Sequence, residues 1–123
     1  WIYVYIYIYI FIYLKHSSTL INAYQIHCLE FDCIHEGAVV HPMAAILSSL
    51  LAHCEEINNL GQYTHGKEFL ISLALGVDIA SFLGICARGE LKFFRPATAS
   101  GFGAVAALSK IQKFQRLKSI KFL

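Results

Sequence analysis

The stretch KEFLISLALGVDIASFLGICARG, residues 67–89, decides the fold class of this chain. It predicts the longest helix, with Gly89 placed to end it, and Asp78 is its single charge between Phe69 and Ala87. Small residues recur at four-residue spacing along one face: Ser72, Gly76, Ala80 and Gly84. Such a face lets a second helix approach closely. A helix that is apolar all round is either the central helix of a helical domain or a membrane span.

The segments on either side of this helix also have helical periodicity. STLINAYQIHCLEF (residues 18–31) places apolar side chains three and four positions apart, and the helical pattern starts at Ser17. HPMAAILSSLLAHCEE (41–56) has Pro42 at the first helical position, where a missing N–H costs nothing. ATASGFGAVAALSKI (97–111) is a small-residue helix that follows Pro96. The sequence therefore predicts an all-α fold.

The two ends of the chain differ from its middle. WIYVYIYIYIFIYL (residues 1–14) is too short for a span of roughly 20 residues, and it lacks the positive start of a secretory signal. Because an alternating T-A repeat encodes Tyr-Ile, we interpret residues 1–16 as a low-complexity extension and not as native structure. Residues 17–112 are predicted to form the helical domain. Residues 113–123 are a basic tail, which suits an anionic membrane surface, a solvated helix end or misread sequence.

Composition and charge bear on the partner and the compartment. The chain of 123 residues is 57% hydrophobic, with a formal net charge of +2. Residues 15–109 carry five basic and eight acidic side chains, whereas residues 110–123 carry five basic and no acidic ones. No basic patch with interleaved aromatics lies outside the tail, so we expect no nucleic-acid partner. The four cysteines form no CxxC pair, and we expect free, buried thiols in a reducing compartment.

The polar side chains that could carry chemistry are concentrated in HCLEFDCIHEGAVVHP, residues 27–42. They are His27, Glu30, Asp32, His35, Glu36 and His41. Histidine titrates near neutral pH and suits general acid/base work, and a neighbouring carboxylate can fix its tautomer. His41 is predicted to cap the helix that begins at Pro42, where backbone N–H groups favour an anionic substrate. His27 has an alternative interpretation as a core histidine with satisfied hydrogen bonds, and His53 and His65 are predicted to be surface residues.

Two other chemistries are not supported by spacing. The cysteines and histidines within residues 28–41 match no standard zinc pattern. GFGAVA (101–106) fits G-x-G-x-x-A, but no strand precedes it and no acidic residue follows it. We expect neither a metal nor another cofactor, and we predict that Gly101 and Gly103 permit close helix packing instead.

Three blocks in order resemble the MmgE/PrpD family. NAYQIHCLEFDCIHEGAVVHPMAAILSSLLA (22–52) is similar to the family block N-x-x-x-x-H-x-L-D-[FY]-D-D-T-H followed by V-V-H-P. GKEFLISLALGVDIASFLG (66–84) resembles the next family helix, and FFRPATASGFGAVAAL (93–108) resembles the F-H-P-T-A-T block. The likeness covers about residues 20–112. It implies that residues 17–112 are part of an all-helical MmgE/PrpD N-terminal domain.

The resemblance also assigns roles to individual residues. His41 matches the family histidine of the H-P pair and is a catalytic acid/base candidate. Asp32 matches the first Asp of D-D, and His35 the histidine after D-D-T, so both are catalytic candidates. Glu30 stands where the family has Asp, and Arg95 where many members have the His of F-H-P. Both are substrate-binding candidates, since Arg can hold a carboxylate through two hydrogen bonds.

The chain also departs from the family pattern. Cys33 replaces the second Asp of D-D, and Ile34 replaces the Thr and removes a hydroxyl from the site. The family's catalytic Lys and Tyr have no counterpart before Leu123. We therefore expect this chain alone to be inactive and poorly soluble, as a fragment of a larger enzyme.

The family's activity defines the first functional hypothesis. The family includes 2-methylcitrate dehydratase of propionate metabolism, cis-aconitate decarboxylase and iminodisuccinate epimerase. These enzymes abstract a proton next to a carboxylate of a small di- or tricarboxylate, with loss of water or carbon dioxide and without a redox cofactor. They are homodimers whose second domain is α+β. The resemblance thus implies a lyase of the cytoplasm or the mitochondrion, with no membrane partner.

Two alternatives remain open at this point. The chain could be a small membrane protein with one span near residues 69–87, although Asp78 near the helix centre opposes insertion by about 2.5–3.5 kcal/mol. It could also be the product of a decayed or mispredicted gene.

Overall fold

The computed structural model describes residues 15–89 and 94–121, and within these ranges the chain forms four α-helices. They are α1 (Lys15–His27), α2 (Pro42–Asn59), α3 (Gly66–Cys86) and α4 (Arg95–Lys121). These ranges contain no β-strand, and an isolated antiparallel bridge joins His35 to Val40. The prediction of an all-α fold is confirmed.

The structure describes only part of each of the two predicted end segments. Residues 1–14 of the Ile/Tyr extension lie outside the described residues, whereas Lys15 and His16 are the first two residues of α1. Most of the basic tail continues α4 without a break, as far as Lys121. The boundaries proposed for the helical domain and the tail stay predictions.

The buried core lies where α2, α3 and α4 meet. Ile46 and Leu50 of α2 are fully buried there, together with Ala107 and Ile111 of α4. Ala80 supplies the contact from α3. Large side chains from α2 and α4 thus pack around the small side chains Ala80 and Ala107.

The small-residue face of α3 is the face that the core buries. Its buried residues are Ser72, Gly76, Ala80 and Gly84. A Cβ atom built on Gly76 would lie 2.8 Å from the Gly103 carbonyl oxygen, and one built on Gly103 would lie 2.5 Å from the Gly76 carbonyl oxygen. Real Cβ atoms do not approach backbone oxygens so closely, so α3 and α4 touch backbone to backbone.

Gly101 does not share this role. It is exposed, and a Cβ atom built on it would meet nothing within 4 Å. The prediction of close packing is therefore confirmed for Gly103 and wrong for Gly101. The reason is geometric, because two residues along a helix turn the side-chain direction by roughly 200° at 3.6 residues per turn.

Helix boundaries follow the predictions more closely at the start than at the end. Pro42 begins α2 and His41 is its N-cap residue, as predicted. In contrast, α3 ends at Cys86, and the Ala87 N–H bonds to the Leu83 carbonyl oxygen, so Gly89 does not end the helix.

The cysteines are free thiols, but their burial differs from the expectation. Cys54 is buried in the core, whereas Cys28, Cys33 and Cys86 are exposed. Cys28 follows the last residue of α1, Cys33 lies in the loop before α2, and Cys86 ends α3. Residues at element ends have few packing neighbours, which explains why apolar sequence surroundings did not bury these three thiols.

Candidate acid/base site

Asp32 lies between two histidine rings. Its Oδ1 atom is 2.9 Å from His27 Nδ1 and 3.4 Å from His41 Nδ1. The two imidazole rings meet edge to face, with their centroids 4.7 Å apart and an interplanar angle of 62°. We call these three residues the His-Asp-His cluster. They come from the end of α1, the following loop and the residue that caps α2.

The loop before α2 has a backbone that turns back on itself to form this cluster. Glu30 adopts a positive φ of 53°, and its N–H bonds to the His27 carbonyl oxygen at 2.9 Å. Val39 has a φ of 55°. Between these two turns the His35 N–H donates to the Val40 carbonyl oxygen at 3.0 Å. The loop therefore reverses twice, which places Asp32 beside both the preceding and the following helix end.

The same loop is seated on α3 and α4. Ala38 and Val40 are completely buried and pack with Ala99 of α4. A Cβ atom built on Gly84 would lie 2.6 Å from the Ala38 carbonyl oxygen. On the other side of the cluster, the Ser100 hydroxyl donates to the His41 carbonyl oxygen at 3.3 Å. The position of His41 thus depends on contacts with both α3 and α4.

The electrostatics of the cluster keep Asp32 ionised. Its side chain is 3% exposed, and burial on its own raises the pKa of a carboxyl group. The hydrogen bond from His27 and the charges of His27 and His41 act in the opposite direction and together leave the Asp32 pKa below its usual value. An ionised carboxylate can only accept hydrogen bonds. His27 Nδ1 is therefore the donor in the 2.9 Å contact.

An apolar cavity of about 270 Å³ opens beside the two histidines. Its walls come from α1, α2 and the start of α4: Ala23, Tyr24, His27, Cys28, His41, Ala44, Ala45, Phe94, Pro96, Ala97 and Ser100. Asp32 lies behind the rings and does not reach this lining. Two histidine rings on a concave apolar surface, beside one buried carboxylate, are suited to exchanging protons with a bound small molecule.

The structure brings two of the five residues predicted for the site together. Asp32 and His41 meet in the cluster. His35 is exposed, and its Nδ1 accepts the Ala38 N–H at 3.1 Å, so it stabilises the loop. Glu30 is exposed at the first turn of the loop, and Arg95 begins α4. Neither residue contributes to the lining of the cavity.

His27 belongs to the cluster but not to the five residues predicted for the site. Its side chain is 34% exposed and bonded to Asp32, which favours the acid/base group over the alternative interpretation as a core histidine. A histidine near a helix end, five residues before an acidic residue, is the signal that points to it. His53 was predicted to be a surface residue, but it is half-buried and its Nε2 atom is buried. The interpretation of His65 as exposed is confirmed.

The fold and the cluster define a class, namely a helical domain that carries histidines and a buried carboxylate in the arrangement of a general acid/base centre. The chain belongs to the MmgE/PrpD family of lyases, because the sequence profile of the MmgE/PrpD N-terminal domain matches residues 13–121. This confirms the resemblance inferred from the three blocks, and the match covers all four described helices. Neither a curated protein nor a solved structure matches the chain.

Proposed function

We propose that this chain carries the acid/base part of a lyase site for small di- or tricarboxylates. The reaction is proton abstraction next to a carboxylate, followed by loss of water or carbon dioxide. The observation that carries the proposal is the position of Asp32 Oδ1 between His27 Nδ1 and His41 Nδ1 at the edge of the cavity. Family membership supports the reaction class.

His41 is the proposed proton-transfer residue. Its Nδ1 atom is buried beside Asp32, so Nε2 is the ring nitrogen left to face the cavity. In a dehydration, Nε2 takes the proton from the carbon next to the substrate carboxylate. The imidazolium that forms is stabilised by the ionised Asp32, and it returns the proton to the departing hydroxyl as water. In a decarboxylation, the same nitrogen delivers a proton to the carbanion that carbon dioxide leaves behind.

Substrate binding extends beyond the cavity in this proposal. The lining supplies few polar groups, chiefly the two histidines and Ser100. Arg95 directly precedes the lining residue Pro96, and we assign it to a substrate carboxylate. Glu30 and His35 keep the roles that the family resemblance implies, as a substrate-binding and a catalytic residue. These three side chains require a substrate that reaches from the cavity towards the surrounding loop.

Assembly and location follow the family in this proposal. Exposed large apolar side chains occur on all four described helices, including Tyr24, Leu51, Phe82 and Phe102. Surfaces of this kind commonly mark an interface, which supports a homodimer. The three exposed free thiols suit a reducing compartment such as the cytoplasm or the mitochondrial matrix.

The test combines turnover with substrate binding. The purified 123-residue chain is incubated with 2-methylcitrate or cis-aconitate, and both the products and the histidine ring NMR signals are followed. We expect no turnover, and saturable shifts of the His27 and His41 signals. A His65→Gln variant should bind equally well, and a His41→Gln variant should bind less tightly. Turnover by the chain would overturn its expected inactivity, and unshifted His41 signals would overturn the site.

A membrane protein is the second candidate function, and α3 is the observation that favours it. Within the described residues, Gly66–Cys86 is the one helix long and apolar enough to cross a bilayer, with a mean hydropathy of 2.1 and 22% of that window buried. Against it, the small-residue face of α3 already packs on α4. Carbonate extraction separates the candidates, because a spanning protein stays in the pellet until detergent is added. A detergent-solubilised control excludes aggregates.

A further inference from the structure

We propose that the His-Asp-His cluster binds a divalent transition-metal ion of the Zn²⁺ type, and that the bound ion blocks proton transfer by His41. The ligands are Nδ1 of His27, Nδ1 of His41 and a carboxylate oxygen of Asp32. Each of the three side chains offers one possible ligand atom within 4.8 Å of the other two, and both Nδ1 atoms lie within 3.4 Å of Asp32 Oδ1. The metal site stands on this geometry, and its inhibitory effect alone rests on the proposed function.

The separations within the cluster fit a shared ion. Two ligand atoms that each lie about 2.0–2.2 Å from one tetrahedral Zn²⁺ are roughly 3.3–3.6 Å apart. His41 Nδ1 is already 3.4 Å from Asp32 Oδ1. His27 Nδ1 is 2.9 Å from the same oxygen, so this pair opens by a few tenths of an ångström when the ion replaces the proton between them.

Unpartnered buried atoms give a second, independent reason. Asp32 Oδ2 and His41 Nδ1 are buried atoms without a hydrogen-bond partner, and the Asp32 side chain is 3% exposed. Leaving such groups buried and unpaired is unfavourable unless a counter-charge or a metal satisfies them. A divalent cation between the three side chains would give His41 Nδ1 a partner and would supply the counter-charge that the buried carboxylate needs.

The cluster also leaves room for the rest of a coordination shell. The His27 and His41 side chains are 34% and 21% exposed, and both line the cavity. Both histidines are partly open to solvent, so a water molecule that reaches the cluster can complete the coordination of an ion held by three protein ligands. This ligand set includes His27 and no cysteine, so it differs from the cysteines and histidines of residues 28–41, whose spacing matches no standard zinc pattern.

The consequence for catalysis follows from the two nitrogens of one ring. When Nδ1 of His41 ligates a cation, the neutral imidazole carries its proton on Nε2. Nε2 faces the cavity and is the proposed base, so in this state it has no lone pair for the substrate proton. An ion held by the cluster would therefore act as an inhibitor that competes with catalysis and not as a cofactor.

Zn²⁺ titration by calorimetry tests the site directly. Exposed thiols also bind Zn²⁺, so the titration uses the chain with Cys28, Cys33 and Cys86 changed to Ser. We expect one ion per chain. Asp32→Asn and His27→Gln should each weaken binding at least about 100-fold, the upper end of what loss of an outer-shell partner causes. His65→Gln, at an exposed histidine outside this loop, is the matched control and should bind unchanged.

A second measurement needs no cluster variant and decides the matter if a variant fails to fold. Zn²⁺ added to the Cys-to-Ser chain should shift the ring signals of His27 and His41 and leave those of His65 in place. Absence of stoichiometric binding, or equal affinity in His27→Gln, would overturn the metal site. If Zn²⁺ binds but 2-methylcitrate and cis-aconitate shift neither the His27 nor the His41 signals, the proposed function is overturned and the metal site stands. Substrate binding without Zn²⁺ binding would do the reverse.

Discussion

The contact between α3 and α4 and the corner between α1 and α2 are built on opposite principles. The first is a seam of small side chains in which Gly76 and Gly103 bring two backbones into contact. The second is a polar cluster around Asp32 beside an open, apolar cavity. The stability of the seam depends on the small volume of its side chains, and the seam leaves no space for an added Cβ atom. The arrangement of the corner depends on charge and hydrogen bonding. The same chain therefore separates the part that holds the fold from the part that can do chemistry.

The largest expected effect comes from one methyl group in the seam. Gly103→Ala places a Cβ atom 2.5 Å from the Gly76 carbonyl oxygen, and a backbone atom cannot rotate away. We expect a loss of about 2–3 kcal/mol in the free energy of unfolding, within the range of overpacked cores. Chemical denaturation measures it.

Gly101→Ala is the matched control for that variant, two residues away on the same helix. Its Cβ atom would meet nothing within 4 Å, so the better helix propensity of Ala should stabilise the chain by about 0.5–1 kcal/mol. Equal effects at the two positions would show that the seam is not closely packed.

The next effect concerns charge in the corner. Asp32→Asn keeps the shape of the side chain but replaces the ionised acceptor of the His27 and His41 contacts. We expect a loss of about 1.5 kcal/mol in unfolding free energy, the scale of a hydrogen bond to a charged group. Glu36→Gln, an exposed carboxylate of the same loop, should change stability by less than about 0.5 kcal/mol. If the two variants behave alike, the cluster does not contribute to stability.

The reactivity of the thiols allows the core and the corner to be compared in the unsubstituted chain. Cys54 lies in the core, and burial raises the pKa of its thiol, whereas Cys28 is exposed at the cavity. Because the thiolate is the reactive form, we expect Cys54 to be labelled far more slowly than Cys28, Cys33 and Cys86. Mass spectrometry of the chain after timed alkylation identifies the order. Rapid labelling of Cys54 in the folded chain would contradict the packing of α2.

The smallest effect is a pH dependence at the edge of α2. Burial raises the pKa of Glu55, so the folded chain favours its protonated form. The contribution of Glu55 to stability is therefore greatest below its unfolded pKa and is lost as the pH rises through its folded pKa. Glu55→Gln should stabilise the chain at neutral pH by up to about 0.5 kcal/mol. The gain should disappear in acid, and a gain that persists there would assign the effect to packing and not to ionisation.

Local patterns were sufficient to predict the elements that depend on neighbours along the chain. Residues one to four positions apart are enough to show the helical periods, Pro42 at the start of α2 and the small-residue face of α3. Predictions failed where a neighbour from elsewhere decided the outcome. Gly101 and Gly103 look alike in sequence, and the direction of α3 alone distinguishes them.

The cluster shows the same limit for the candidate site. Asp32 and His41 were predicted from motif positions, but the contribution of His27 depends on two positive-φ turns, at Glu30 and Val39. The burial of Ala38 and Val40 against neighbouring helices seats the loop between those turns. No spacing rule in the sequence contains that information. For the same reason, Glu30, His35 and Arg95 lie outside the cavity although their motif positions group them with His41.

The all-α class, the approximate positions of the helices and the family could be predicted from periodicity and motifs, because these are local properties of the chain. Which histidines meet Asp32, which glycine touches backbone and which thiol is buried could be read only from the packed helices. Those outcomes depend on how helices distant in sequence approach one another. Burial and electrostatic interaction are set by distances in space, and the chain order does not record them.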